Sequence, residues 1–276
     1  MNGLEHISAM FARAKQEHRA AFLPYFPIGY PTYAESIEAI AAMAAEGVDG
    51  FEIGIAFSDP LADGAVIQAA TQIALENGTT VKKCLQAVSD LRARGVDQPM
   101  LMMGYMNPML AYGLERFVVD AKAAGANGII VPDLPPEEAG VLAAACAHEG
   151  LALIFFLAPT SGAARIELVA KQATGFIYVV ALTGVTGIRD QLPAGLSEFI
   201  TRVREHAHDV PLVMGFGISK PEHARRMNDL VDGFIVGTAM VRAGSQGVEA
   251  VRALARDLRH ALNGDVDVDE NSPESA

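Results

Sequence analysis

Apolar and polar positions follow a repeating two-part pattern along the chain. Short runs rich in Val, Ile, Phe and Leu are each followed by a longer stretch in which apolar residues recur at helical spacing. The short runs predict eight strands, at residues 21–28, 48–55, 99–105, 126–133, 151–158, 175–182, 210–216 and 231–237. The longer stretches predict helices, and several of them end at a glycine that can serve as a C-cap, as in AKAAG and CAHEG.

This alternation favours a parallel sheet that is covered on both faces. Strands that are apolar on both faces and joined by helices form such sheets. Eight units in about 250 residues match the closed (β/α)8 barrel, an α/β fold, whereas a doubly wound open sheet with fewer strands is the alternative. We therefore predict a single TIM barrel domain over residues 1–262, with an additional N-terminal helix at residues 2–15 that covers the bottom of the barrel.

Composition and charge argue against several classes of protein. The chain has 276 residues and a net charge of −12 without a basic block, which argues against nucleic acid or an anionic membrane surface as a partner. No apolar run approaches the ~18 residues of a membrane span, and the N-terminus is charged. Cys84 and Cys146 lack CxxC spacing and are expected to be reduced thiols. We predict a cytoplasmic protein whose residues 263–276 form an acidic, disordered tail.

The residues at the strand ends restrict the chemistry. Active sites of (β/α)8 barrels lie at the carboxyl ends of the strands. No lysine falls at such an end, which argues against a Schiff-base aldolase. All seven histidines fall in predicted helices or beside them, which argues against a histidine-ligated metal and against a Ser-His or Cys-His nucleophile. We therefore predict no metal site, and carboxylates and phenols remain as candidate catalytic groups.

Carboxylates cluster in the second predicted strand and the loop after it, FEIGIAFSDPLADG (51–64). Glu52 lies in an apolar run, where desolvation is expected to raise its pKa and make it a proton donor at neutral pH. Asp63 lies in a polar loop and is expected to stay ionised, so the two can form an acid–base pair. The alternative for Glu52 is a structural carboxylate that is hydrogen-bonded across the barrel interior. Asp59, in SDP, is expected to organise a turn.

Three loops near the end of the chain carry glycine together with Ser or Thr: TGVTG (183–187), GFGIS (215–219) and VGTAM (236–240). Glycine lets backbone amides approach a ligand closely, and the loops after strands seven and eight are the usual phosphate site of these barrels. We predict a phosphate-bearing substrate bound by Gly187, Gly217, Gly237 and Thr238. The first loop, TGVTGIRDQLP, is long enough to be a mobile lid, and an ordinary surface loop is the alternative.

Taken together, these segments resemble a known family. FEIGIAFSDPLADG, followed in order by YMNP (105–108), PDLPPEE (132–138), TGVTG and GFGIS on eight βα units, closely resembles the alpha subunit of tryptophan synthase. The resemblance covers residues 2 to about 262. It implies the retro-aldol cleavage of indole-3-glycerol phosphate to indole and glyceraldehyde 3-phosphate, in tryptophan biosynthesis, with no cofactor on this chain.

The resemblance also implies roles for particular residues. Glu52 occupies the position of the family's catalytic glutamate, which protonates the indole ring at C3, and Asp63 that of the aspartate that accepts a hydrogen bond from the indole N–H. The substrate pocket is expected to contain Tyr25, Met103, Tyr105, Asp133, Tyr178 and Phe216. Thr186 is the expected lid residue. The family's usual partner is a beta subunit that uses pyridoxal phosphate, which implies an αββα heterotetramer.

A few positions depart from the family pattern. Ala56 stands where proline is common, Gly104 replaces a larger residue, and Ala181–Leu182 replace Ser-Arg. These departures leave open a lyase that works without a partner. Two other functions are alternatives. One is a phosphate-binding isomerase, which would need a cysteine or lysine at a strand end. The other is a non-catalytic regulatory subunit, against which the presence of both candidate carboxylates argues.

Overall fold

A computed structural model describes residues 2–180, 195–207, 209–215 and 217–263 of the chain. Eight parallel strands close into a barrel in chain order, so that each strand pairs with the next and the last pairs with the first. They are β1 (Ala21–Pro27), β2 (Phe51–Gly54), β3 (Met100–Met103), β4 (Gly128–Ile130), β5 (Ala152–Leu157), β6 (Ile177–Val180), β7 (Leu212–Gly215) and β8 (Gly233–Val236). The predicted (β/α)8 barrel is confirmed, and each strand lies within its predicted range.

Helices cover the outside of this barrel. Those in the described ranges are α1 (Gly3–Gln16), α2 (Tyr33–Ala45), α3 (Ala65–Glu76), α4 (Val81–Ala93), α5 (Met106–Tyr112), α6 (Leu114–Ala124), α7 (Gly140–Glu149), α8 (Ala163–Gln172), α9 (Leu196–Ala207), α10 (Pro221–Met227), α11 (Thr238–Gly244) and α12 (Val248–Leu262), with a 3-10 turn at Pro136–Glu138. The Thr32 side chain accepts the N–H of Glu35 and so caps α2. Helices α6 and α7 end at Gly125 and Gly150, which are left-handed, as the C-cap pattern predicted.

Helix α1 covers the end of the barrel at which the strands begin. The ring of Phe11 lies 6.0 Å from that of Phe176, the residue before β6. The N–H of Gly3 donates to the carbonyl of Gly150, close to the start of β5, at 2.9 Å. The predicted N-terminal helix at the bottom of the barrel is therefore confirmed, one residue further along the chain than expected.

A buried ion pair fixes the same end of the barrel. The Arg19 guanidinium donates to the two carboxylate oxygens of Asp49 at 2.5 and 2.8 Å, and the side chains are 1% and 0% exposed. Asp49 also accepts the backbone N–H of Phe22 at 2.9 Å. Because both charges are paired, the connections into β1 and β2 are held together without an isolated buried charge.

The strand register decides which side chains enter the barrel. Residues that pair across parallel strands point to the same face of the sheet, and the next residue points to the other. Tyr25 of β1 pairs with Glu52 of β2, and Glu52 pairs with Leu101 of β3, so these side chains share the interior. Phe26 instead meets Gly244 of α11 on the outer side.

Three sequence expectations concern the chain as a whole. None of the helices that the structure describes is both long and apolar enough to cross a membrane. Cys84 and Cys146 are free and buried, and desolvation raises the pKa of each thiol to about 12. Helix α12 ends at Leu262, while the division into a domain at 1–262 and a tail at 263–276 stays a prediction because residues 264–276 lie outside the described ranges.

Candidate active site

Glu52 lies inside the barrel near the carboxyl end of β2. The alternation in FEIG turns Phe51 and Ile53 toward the helices and Glu52 inward, where its side chain is 1% exposed. Its Oε1 atom is buried without a hydrogen-bond partner among the described residues. Desolvation first, and then the nearby charge of Asp63, raise the pKa of Glu52 well above its usual value. The raised pKa favours the protonated form of Glu52, and among the described residues Oε1 makes none of the cross-barrel bonds expected of a purely structural carboxylate.

Asp63 lies in the loop between β2 and α3, and its surroundings differ from the expected polar ones. It is 8% exposed, and desolvation raises its pKa to about 6, although a hydrogen bond from Tyr105 lowers it in part. The expectation of a polar environment is wrong because the loop folds back over the end of β3. A pKa of about 6 still leaves most molecules ionised at pH 7. Because the pKa of Glu52 is raised well above its usual value, the two groups are suited to different protonation states, as an acid–base pair requires.

Tyr105 holds the loop that carries Asp63. Its hydroxyl donates to Oδ2 of Asp63 at 3.1 Å and accepts the backbone N–H of Ala62 at 2.9 Å. Its ring lies 5.4 Å from that of Phe57, at the start of the same loop. Desolvation, and then the charge of Asp63, raise the pKa of the Tyr105 phenol, so it remains a hydrogen-bond donor.

Asp133 and Asp59 both lie at the surface. Oδ1 of Asp133 accepts the backbone N–H of Met106 at 2.9 Å, which satisfies the first residue of α5 and supports the position of Tyr105. Asp133 itself is exposed in the turn after β4, so its contact with a substrate stays a prediction. Asp59 accepts a hydrogen bond from the hydroxyl of Ser58, and its own carbonyl accepts the N–H of Leu61, as in the expected turn.

Two further tyrosines lie inside the barrel over glycines. A Cβ atom on Gly54 would approach the Tyr25 hydroxyl to 2.5 Å, and one on Gly215 would approach Cε1 of Tyr178 to 2.5 Å. The Tyr178 ring also stacks on Phe156, with centroids 4.6 Å apart. Sequence reasoning did not assign either glycine to the pocket, although a glycine inside a strand signals the close approach of another group.

The carboxylates and phenols act on one another electrostatically. Desolvation raises the pKa values of Tyr25 and Tyr178 well above the usual value, and the charges of Asp63 and Glu52 raise both further. Tyr105 also contributes to the shift at Tyr25. The structure therefore brings these predicted residues into a single cluster of two carboxyl groups and three neutral phenols.

Of the remaining predicted site residues, some lie within the described ranges and others do not. Met103 is half-buried at the end of β3, and it pairs with Ile130 on the interior face. Gly217 follows β7, and Gly237 and Thr238 follow β8, which places them beyond neighbouring strands at the carboxyl edge. A Cβ atom on Gly237 would make only ordinary contacts, the closest at 3.4 Å to Ile67, so phosphate binding there stays a prediction. Thr186, Gly187 and Phe216 lie outside the described residues.

Packing accounts for one departure from the family pattern. A Cβ atom on Gly104 would come within 2.9 Å of the Cβ atom of Ile55, so a larger residue does not fit beside this isoleucine. Ala56 is 9% exposed at the start of the Asp63 loop. Ala181 and Leu182 lie outside the described ranges.

The arrangement is suited to proton transfer. A buried acid lies beside an ionised carboxylate, and aromatic side chains surround both. In the described part of the chain, no three His, Cys, Asp or Glu side chains are grouped so that they could hold a metal ion.

Comparison with known proteins points to one family. Residues 11–265 match the family model of the tryptophan synthase alpha chain. The chain is 49% identical over 264 residues to the tryptophan synthase alpha chain of Roseiflexus sp. (strain RS-1), covering 95% of this chain and 100% of the relative. The alpha chain of Chloroflexus aggregans is 48% identical over 260 residues, or 92% and 97% of the two chains. A structure of Mycobacterium tuberculosis tryptophan synthase matches with a TM-score of 0.88 and 35% identity over 93% of this chain and 98% of that one. The chain therefore belongs to the tryptophan synthase alpha chain family.

Proposed function

We propose that Glu52 and Asp63 carry out the chemistry of a carbon–carbon lyase, which cleaves indole-3-glycerol phosphate to indole and glyceraldehyde 3-phosphate in tryptophan biosynthesis. The observation that carries this proposal is the buried Oε1 atom of Glu52, which has no partner in the described residues and lies in the field of Asp63. A carboxyl group left in that condition is costly to the fold, and groups with strongly perturbed pKa values of this kind cluster at functional sites.

Glu52 begins the reaction as a general acid. Its proton is transferred to C3 of the indole ring, which leaves a positive charge on the ring system. Asp63 accepts a hydrogen bond from the ring N–H and stabilises that charge, which requires Asp63 to be ionised while Glu52 is protonated. The raised pKa of Glu52 and the value of about 6 for Asp63 support this division of roles at neutral pH.

Cleavage of the carbon–carbon bond restores both the ring and the acid. The bond between C3 and the glycerol carbon breaks, and its electron pair returns to the ring to give indole. The hydroxyl on that carbon loses its proton and becomes the aldehyde of glyceraldehyde 3-phosphate. Glu52, now a carboxylate, accepts this proton, so protons and electrons balance without an external oxidant or reductant.

The substrate's ring and phosphate are assigned to different parts of the carboxyl edge. The ring is placed among Tyr25, Met103, Tyr105, Tyr178 and Phe216, with Asp133 supporting Tyr105 from outside. The phosphate is assigned to Gly187, Gly217, Gly237 and Thr238, and Thr186 is assigned to a lid over Asp63. The burial of the three tyrosines around the two carboxyl groups supports the position of the ring.

The proposed partner is a beta subunit that holds pyridoxal phosphate, in an αββα heterotetramer. The proposed cleavage needs only proton transfer and charge stabilisation from side chains, so no organic cofactor or metal is proposed on this chain. Leu61 is 89% exposed at the tip of the loop that carries Asp63, where a partner bound close to the site would contact it. A cytoplasmic location is proposed from the composition of the chain.

The direct test is indole release from indole-3-glycerol phosphate by the purified chain, with and without a beta subunit. Glu52→Gln is expected to lower turnover by at least ~10²-fold with little change in substrate binding, since general acid catalysis supplies about 10²–10⁴-fold. Asp63→Asn is expected to cause a large loss too. Glu38→Gln, at an exposed position of α2, is the control and is expected to keep wild-type turnover.

The outcomes separate the alternatives. Unchanged indole release from Glu52→Gln would remove the catalytic assignment, and a wild-type rate for Asp63→Asn would reduce Asp63 to a loop residue. A regulatory subunit would still activate its partner when Glu52 is replaced, with no indole formed by either version.

A further inference from the structure

The side chain of Gln68, in the first turn of α3, reaches back to the loop that carries Asp63. Its Nε2 atom donates to the backbone carbonyl of Asp63 at 2.9 Å and, through a longer contact, to that of Pro60 at 3.4 Å. The backbone N–H of Gln68 bonds to the carbonyl of Gly64 at 3.0 Å. One exposed amide side chain therefore contacts both ends of the turn from Pro60 to Asp63.

This turn has little else to hold it. Its tip is solvent-exposed, with Leu61 at 89%, and Gly64 gives α3 no side-chain cap. Within the turn, the N–H of Asp63 bonds to the carbonyl of Pro60 at 3.0 Å. Besides this bond and that of the Leu61 N–H to the Asp59 carbonyl, the hydrogen bonds that reach residues 60–63 within the described chain come from Tyr105 on one side and Gln68 on the other.

The two contacts act on different parts of the same residue. Tyr105 holds the carboxylate of Asp63, and Gln68 holds its backbone carbonyl. Since the carbonyl and the side chain share one Cα atom, a fixed carbonyl limits the rotations that would carry the carboxylate away from the Tyr105 hydroxyl. A shift of about 1 Å in a catalytic group can cost ~10²-fold in rate.

We propose that Gln68 is a positioning residue for the lyase reaction, which holds Asp63 from α3 so that its carboxylate stays bonded to Tyr105 and directed at the substrate's ring N–H. Gln68 itself does not touch the reacting atoms. The inference rests on the proposed role of Asp63 and adds a residue that the sequence motifs did not single out.

The test compares Gln68→Met with Gln72→Met. Methionine keeps the length of the side chain and removes the amide donor. Gln72 lies one turn further along α3, is also exposed, and donates to Glu76 at 2.9 Å, so it reports any general effect of the substitution on this helix. Indole release is measured as kcat and KM from pH 5 to pH 9, and urea unfolding follows the stability of each variant.

Gln68→Met is expected to lower kcat by about 10-fold and to change KM less than about twofold, because loss of one positioning bond weakens transition-state contacts and leaves the pocket in place. The acid limb of its kcat profile is expected to move to higher pH, since Asp63 loses part of the Tyr105 bond that lowers its pKa. Gln72→Met is expected to match the wild type in both respects. A purely structural role for Gln68 would lower stability and leave the pH profile in place.

A wild-type kcat and pH profile for Gln68→Met would overturn the inference, and so would an equal loss in Gln72→Met. Asp63→Asn, measured in parallel, separates this failure from that of the proposed function. An active Asp63→Asn removes the role of Asp63 itself, whereas an inactive Asp63→Asn beside a fully active Gln68→Met overturns only the role of Gln68.

Discussion

The hydroxyl of Tyr105 donates to Oδ2 of Asp63 at 3.1 Å and accepts the N–H of Ala62 at 2.9 Å. This bond opposes the effect of burial on the Asp63 carboxyl group, whose pKa nevertheless rises to about 6. The ionisation of Asp63 near neutral pH therefore depends on a side chain 42 residues away along the chain.

Tyr105→Phe removes this hydroxyl and is expected to raise the pKa of Asp63 further above its ordinary value. A hydrogen bond to a charged group contributes about 1.5–3 kcal/mol, so turnover at pH 7 is expected to fall by about 10-fold or more. The acid limb of the kcat/KM profile should move to higher pH, and activity should recover in part above pH 8. An unchanged acid limb would show that this bond does not set the charge of Asp63. Tyr112→Phe, which removes a hydroxyl bonded to Asp120, serves as the control.

Glu52→Gln is expected to stabilise the fold at neutral pH, although we expect it to lower turnover. The folded state keeps a proton on Glu52 above the usual pKa of 4.5, while the unfolded state releases it. The stability contributed by the neutral acid is therefore fully present below the unfolded-state pKa of 4.5. It is lost as the pH rises toward the raised pKa of the folded state. The melting temperature of Glu52→Gln should exceed that of the wild type at pH 7 and approach it near about pH 4. Equal melting temperatures at pH 7 would contradict the raised pKa.

Gly54→Ala is expected to displace Tyr25 from the pocket. The new Cβ atom would lie 2.5 Å from the Tyr25 hydroxyl, closer than van der Waals contact allows. Overpacking of this kind costs about 1–3 kcal/mol, and we expect kcat/KM for indole release to fall with the stability. Urea unfolding and steady-state kinetics measure the two effects. Gly140→Ala, where a Cβ atom meets nothing within 4 Å, should leave both unchanged, and a neutral result for Gly54→Ala would show that Tyr25 moves freely.

Asp49→Asn tests the buried ion pair at the amino end of the barrel. It leaves the Arg19 charge without its buried partner, and breaking such a pair typically costs about 3–5 kcal/mol. The exposed pair of Arg94 and Glu38, whose side chains are 46% and 56% accessible, is the comparison, and Glu38→Gln should change the free energy of unfolding by less than about 1 kcal/mol. Urea denaturation gives both values. Similar losses in the two variants would mean that burial of the pair does not determine its contribution.

The fold was predictable because each strand is marked in the sequence by a short apolar run. Runs apolar on both faces recur eight times, and each confirmed strand lies within such a run. The sequence overestimated the length of a strand where its first backbone N–H group forms a hydrogen bond with the preceding helix instead of with the neighbouring strand. The range 126–133 predicted a longer β4, but the N–H of Ala126 bonds back to Ala121 at the end of α6, and the strand begins at Gly128.

The site was predictable only in part, because long-range contacts leave no mark in local patterns. The position of Glu52 followed from an acid within an apolar run. The burial of Asp63 could not be predicted, since it lies in a short loop with no strand or helix pattern and the covering side chain belongs to another strand end. Gln68 could not be predicted for the same reason, because its contact with the Asp63 carbonyl is visible only in the folded chain. In the sequence it is one of several polar residues on a helix.

Helix α1 closes the amino end of the barrel, where Phe11 packs on Phe176 and Gly3 bonds to Gly150. For the proposed reaction, we therefore expect substrate and product to use the carboxyl end of the barrel, because α1 covers the amino end. We expect a protein that collects the product to bind at the carboxyl end, near the exposed side chain of Leu61.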